Sequence, residues 1–500
     1  MKRTSMTAAI LAGIAGVAGI SNMANAVYLN PDGLGSVLIY PYYTVNGGNA
    51  TLLSVVNTTN EGKAIKVRFL EAYNSREVLD FNLYMSPFDV WVAAVGPTSA
   101  GGAAVFTNDN SCTVPAIPKP GGQAFRTAAF DGSTAQGKDG GPTGLARTRE
   151  GYVELIEMGT VTNESDSTLS AITHGSSGVP SNCNQVVKAW SQGGYWTQNA
   201  LTDISDPDGG LFGSGSIIDV AEGTIAGYNA EAIDSFYLFA STATHTQPGS
   251  LAPSIASATS LTSNVFANGQ LVTTTYTNGV NAVSSLFMVD NVFNEYETDP
   301  GTNSSTEWVV TFPTKRFYVD KANLYTPSNS ALKPFDVFFT SANGGTSCSP
   351  VALQFWNREE QTTTTGVDFS PAPTAAGTAL CWEAQVVTFN QGGTSSKILG
   401  SVLQANIPTA DFTSGWARID FTQDSSGAAQ FNHELPQAPA QATGTTSVTA
   451  GVNVFKGLPA TGFSVVEYVN GNVGGALSNY TGLYRHKFHR TCVNGTGSCS

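Results

Sequence analysis

Short runs in which apolar and polar side chains alternate, each closed by turn residues, constrain this chain more than any other feature. In AIKVRFLEA (64–72), Ile65, Val67 and Phe69 fall on one side, and Lys66 and Arg68 on the other. Successive side chains of a strand point to opposite faces, so this run reads as a half-buried strand. After the polar turn YNSRE, EVLDFNLYM (77–85) sets Leu79, Phe81, Leu83 and Met85 against Asp80 and Asn82, which predicts a hairpin. The pattern returns in GYVELIEMGTV (151–161), WVVTFPTKRFYVD (308–320), VALQFW (351–356), GWARIDFT (415–422) and GFSVVEYVNG (462–471). Strands of this length and spacing predict an all-β fold built as two immunoglobulin-like β-sandwich domains, 27–240 and 306–500.

Two regions break the pattern. Residues 162–215 read as a loop-rich insertion in the first domain, with one short helix from Cys183 to Trp190. Residues 241–305 read as a linker. It carries one amphipathic helix, because Ala282, Leu286, Val289, Phe293 and Tyr296 recur at helical spacing. LIYPYYT (38–44) raises a separate question, since proline cannot donate to a β-ladder and is confined to edges and bulges. Pro41 therefore predicts an edge strand at the start of the mature chain. There it either blocks edge-to-edge pairing of two copies or restricts the register of an added partner strand.

The first 26 residues have the form of a secretory signal: Lys2 and Arg3, an apolar run from Ala8 to Ile20, then Ala24-Asn25-Ala26. Export sets the context for the cysteines. Six cysteines in an exported chain predict disulfides, and pairing sequence neighbours is the simplest scheme: Cys112 with Cys183, Cys348 with Cys381, Cys492 with Cys499. A metal site is the rival, but no CxxC spacing supports it. Charged residues are only 12% of the chain and the formal charge is −14. Taking Lys2 and Arg3 from the 23 basic residues leaves 21 against 37 acidic ones, or −16 for the mature chain. Such a surface repels phosphate backbones, so nucleic acid is not an expected partner. No later stretch predicts a transmembrane helix.

Several constellations could carry function. The loop TDISDPDGG holds Asp203, Asp206 and Asp208 before Gly209 and Gly210, a set of oxygens that could hold calcium or simply form a solvated turn. Trp190 and Trp196 frame SQGGY in the insertion; they could stack on sugar rings or pack as a satellite core. In NREEQ (357–361), Glu359 and Glu360 point to opposite sides of a strand, so Arg358 in an ion pair at a strand end fits better than paired acid–base catalysis. RHKFHR (485–490) reads as an exposed basic patch that could meet the acidic surface of another copy. GxSxG, HExxH and P-loop motifs are missing, and SALK (330–333) matches SxxK without its companions.

The strings LIYPYYT, VRFLEAYNSREVLDFNLYMSPFDVW, GYVELIEMG, WVVTFPTKRFYVD, FWNREEQ and GLPATGFSVVEYVNG together resemble a family of secreted "cell surface protein" sequences of Gram-negative bacteria. The likeness spans most of the mature chain and implies export in a bacterium. Expectation therefore centres on an exported, non-enzymatic structural or interaction protein at the cell surface, a surface-layer, fibre or adhesive subunit. It would require no cofactor, or calcium alone, and would associate with itself or with other surface proteins and glycans. The alternative is an extracellular glycan- or calcium-binding β-sandwich module; a secreted hydrolase ranks third. An extracellular or periplasmic location suits all three.

Overall fold

The computed structural model describes residues 26–362, 379–389, 396–407, 409, 412–437, 451–495 and 497–499. The expected export signal, residues 1–26, lies outside them except for Ala26. The first half lays down β1 (Val37–Thr44), β2 (Asn49–Asn57), β3 (Gly62–Glu71), β4 (Glu77–Met85), β5 (Val90–Pro97), β6 (Ala103–Phe106) and β7 (Cys112–Val114). It continues with β8 (Glu150–Val161), β9 (Leu211–Asp219), β10 (Thr224–Asn229) and β11 (Glu231–Asp234). After helix α1 (Gly279–Phe287) come β12 (Asn291–Glu297), β13 (Ser304–Thr311), β14 (Ala352–Asn357) and β15 (Ala384–Phe389). The last are β16 (Gln404–Asn406), β17 (Ser414–Asp420), β18 (Thr461–Val473), β19 (Ala476–Arg485) and β20 (Lys487–His489).

The fold is all-β and sandwich-like, as the alternation predicts. An eight-stranded sheet runs β11-β1-β8-β3-β4-β7 through its middle and lies over a six-stranded sheet, β10-β9-β2-β5-β6 with one short end strand. In the second half a four-stranded sheet, β14-β17-β12-β20, faces a five-stranded one, β16-β15-β13-β18-β19. Tyr296 of β12 stacks on Phe389 of β15 at 5.4 Å between these two sheets.

Three local expectations change. β1 is not an edge strand, since it lies between β11 and β8, but β11 pairs only with Val37, Leu38 and Ile39, so at Pro41 the ladder continues on the β8 side alone. The β1–β8 register jumps between Gly151–Tyr43 and Val153–Tyr40, so Pro41 and Tyr42 together oppose Tyr152. This bulge accommodates the missing N–H within the sheet, and the Pro41 carbonyl accepts from Thr311 Oγ1 at 2.6 Å. The helix at 282–296 stops at Phe287; Val289 and the residues after it are extended, and Val292 and Tyr296 point into the second sandwich from β12. Pairing of β12 with β17 along its full length overrides the helical spacing. Finally, the polar side of β3 is not solvated. Lys66 and Arg68 are buried beneath the 241–258 region, where Lys66 donates to the Gln247 carbonyl at 3.2 Å.

Those buried charges are matched. Lys66 pairs with Asp80 at 2.7 Å, and Arg68 pairs with Glu77 and Glu154, each at 2.7 Å. Burying an ion is costly unless a counter-ion and hydrogen bonds replace water, so the charges select this one strand register.

Residues 241–305 are not a free linker. They hold a hairpin, Thr262–Ala267 with Gln270–Thr275, and α1, every residue of which is buried. One hydrophobic core runs from Val27 to Cys499 through both halves. Polar contacts cross the same boundary: Tyr152 Oη donates to the Pro313 carbonyl at 3.1 Å, and Ser75 Oγ to Glu383 at 2.9 Å. Buried Glu307 accepts three backbone N–H groups from 397–399, and that loop's Leu399 carbonyl accepts from Thr44 Oγ1 at 3.0 Å.

Candidate functional site

The three expected disulfides are present: Cys112–Cys183, Cys348–Cys381 and Cys492–Cys499. The first pins the 162–215 insertion to β7, with Cys183 opening the short helix Cys183–Ala189.

The aspartates of the 203–208 loop have separate partners. Asp203 is buried and accepts from the N–H groups of Ser165, Asp166 and Thr168 and from Thr168 Oγ1. Burial raises its pKa, but these donors outweigh burial and the net shift is downward. Asp206 accepts from the Ala240 N–H at 2.7 Å, and Asp208 pairs with Lys63. Among the described residues no group of three or more His, Cys, Asp or Glu side chains could hold a metal ion. The loop therefore acts as a clasp. It ties the insertion to β3 and β8, where Lys63 also meets Glu157 at 3.0 Å.

Trp190 and Trp196 form a satellite core. Trp196 is 1% exposed, stacks on Tyr84 at 5.0 Å and meets the His245 ring at 4.8 Å. Its indole N–H donates to the Thr202 carbonyl, and that of Trp190 to Tyr84 Oη. Trp196 has no open ring face to offer a sugar.

Another tryptophan pair is presented to solvent. Trp356 of β14 lies opposite Trp416 of β17 on the outer face of the four-stranded sheet, with centroids 4.1 Å apart and planes 12° from parallel. Trp416 is 42% exposed, and its neighbour on β12 is Glu295. Strand β20 covers only Asn291, Val292 and Phe293 of β12. Beyond it a groove of about 670 Å³ opens beside β12. Trp416, Glu295 and Glu297 line it from the four-stranded sheet, and Ser464, Tyr468 and Tyr484 from the five-stranded one.

The second set follows from register. Ser464, Val466 and Tyr468 share one face of β18, and Tyr484 of β19 pairs opposite Ser464. Tyr484 is 57% exposed, whereas Ser464 is 1% exposed. Arg358 closes the rim by pairing with Glu297 at 2.7 Å, so it does form a strand-end ion pair, across strands rather than with Glu359 or Glu360. Burial pushes the Glu297 carboxyl up, and Arg358 offsets part of that rise.

The RHKFHR segment is less available than its composition predicts. His486 is buried, bonds to the Val309 carbonyl and Asn294, and is pushed down to about 4 by burial. Arg485 pairs with Glu231, His489 with Asp290, and Arg490 donates to the Met288 and Leu286 carbonyls. Lys487 is exposed and lines the groove.

The sequence held a signal for this site. In GWARIDFT the alternation buries Ala417 and Ile419, which puts Trp416 on the polar side with Arg418. No helix among the described residues is long and apolar enough to cross a membrane. No family model, curated protein or solved structure matches this chain.

Proposed function

We propose that this chain is an exported, non-catalytic interaction protein of the bacterial cell exterior, and that the groove between its last two sheets is its contact surface. The observation that carries this reading is the exposed Trp416, stacked on Trp356 and lining the groove. A large aromatic held rigid in water costs stability. That cost is offset when a ligand covers it. Three disulfides suit an oxidising exterior, and the leader-like start of the sequence supports export.

A second reading, a subunit of a surface assembly, is favoured by the tip of the β18–β19 hairpin, where Val473, Leu477 and Tyr480 stand exposed. The test is location and retention. Protease treatment of intact producing cells should degrade an epitope-tagged copy. Beads coated with mature protein should retain isolated cell envelopes, and Trp416→Ala should weaken that retention. A cytoplasmic location, or retention indifferent to Trp416, overturns the reading.

A further inference from the structure

We propose that the groove at Trp416 binds the uncharged pyranose rings of an oligosaccharide. This rests on the interaction reading above and names the chemistry of what is bound.

A pyranose presents an apolar face of C–H groups and a rim of hydroxyls that both donate and accept. The groove offers the complement of each. Trp416 and Tyr484 are exposed aromatic rings that both line it, and Trp416 is already fixed by its stack on Trp356, so little side-chain freedom remains to be lost on binding. Glu295 is an acceptor, and the Glu297–Arg358 pair offers an acceptor beside a donor. A groove of about 670 Å³ suits a few sugar rings rather than a protein domain.

Charge selects among saccharides. Glu295, Glu297 and Glu360 line the groove against Arg358 and Lys487, on a chain whose formal charge is −14. Phosphate, sulfate or uronate groups would enter an unfavourable field, whereas neutral hexoses and N-acetylhexosamines would not.

The test uses the full mature chain. Calorimetric titration with neutral tetrasaccharides of glucose and of N-acetylglucosamine should show binding to at least one. A sulfated heparin tetrasaccharide should show none. Trp416→Ala should weaken the neutral ligand about tenfold or more, and Tyr484→Ala on the exposed edge strand should weaken it as well. Thermal midpoints of both variants verify folding, and if Trp416→Ala fails to fold, Tyr484→Ala alone decides. No binding of either neutral sugar, preference for the sulfated one, or affinity indifferent to these substitutions overturns the proposal. Envelope retention that depends on Trp416 without any saccharide binding would sink the sugar and leave the interaction reading standing. Loss of both would sink the two together.

Discussion

Arg76 and Asp320, 244 positions apart in sequence, meet in a buried ion pair at 2.7 Å. Asn74 donates to the same carboxylate at 3.1 Å, and Arg316, on the far side of the boundary, reaches Glu154 at 3.4 Å. The two halves are thus fastened by charges withdrawn from water as well as by shared apolar surface.

Removing Asp320 leaves the buried Arg76 with only Asp139, 3.8 Å away, as a counter-charge. Asp320→Ala should therefore cost about 3–5 kcal/mol. Because one core runs through both halves, the loss should appear as a shift of a single unfolding transition. Denaturant unfolding followed by both fluorescence and circular dichroism reads this out. Two separable transitions, with only one moved by the substitution, would show that the halves fold independently.

The same boundary makes stability depend on pH. Burial pushes the Glu383 carboxyl up to about 8 against the pull of Lys315, and the Glu157 carboxyl up to about 7 against Lys63. In the unfolded chain both sit near about 4.3. The folded state then holds more protons across that window. Their contribution is full below the unfolded value and is lost as pH climbs through about 7 and 8. Lys315, lowered to about 8 by burial, acts in the opposite sense only above that value. Buried His486 and His245, lowered to about 4, act in the opposite sense only below about 6.5, so the thermal midpoint should fall between about pH 6.5 and pH 8, and Glu383→Gln, which cannot ionise, should flatten the slope. A wild-type midpoint that rises across this window would contradict the assignment.

The disulfides should contribute unequally. Cys112–Cys183 spans 71 residues and ties down the whole insertion, whereas Cys492–Cys499 spans 7. Closing a longer loop restricts the unfolded chain more, so replacing the first pair by serines should cost about 2–4 kcal/mol and replacing the last pair less. Urea midpoints of the two double variants provide the comparison; a larger loss at the short loop would invert the expectation.

How much of this was legible from residues alone depends on which neighbours each residue needs. The alternation at Ile65, Val67 and Phe69 exposes its own period, so the β class could be read directly. The solvent state of Lys66 and Arg68 could not, because it depends on whether a segment some 180 positions away lies over them. Pro41 announced an interruption of a ladder but not which of edge or bulge would result, since the bulge is made by its partner Tyr152. Helical spacing at 282–296 failed because short apolar runs satisfy both periods, and the pairing with β17 decided between them. For the site, Trp416 could be placed on the polar side of its strand from local pattern. That it lines one groove with Tyr484 required the fold.

The two tryptophan pairs offer the most direct discrimination between core and contact surface. Trp196 is enclosed by Tyr84, Trp190 and His245, so Trp196→Ala opens a cavity and should cost about 3–5 kcal/mol. Trp416 stacks on Trp356 and is 42% exposed, so Trp416→Ala should cost about 1 kcal/mol or less, the worth of an aromatic contact at a surface. Measured side by side in urea, the two substitutions should separate clearly. Near-ultraviolet circular dichroism adds a second readout, because a rigid indole stack gives a coupled signal that Trp356→Ala and Trp416→Ala should each abolish. Equal destabilisation by Trp196→Ala and Trp416→Ala would mean that Trp416 is a structural residue, and the case for a groove kept open for a ligand would fall with it.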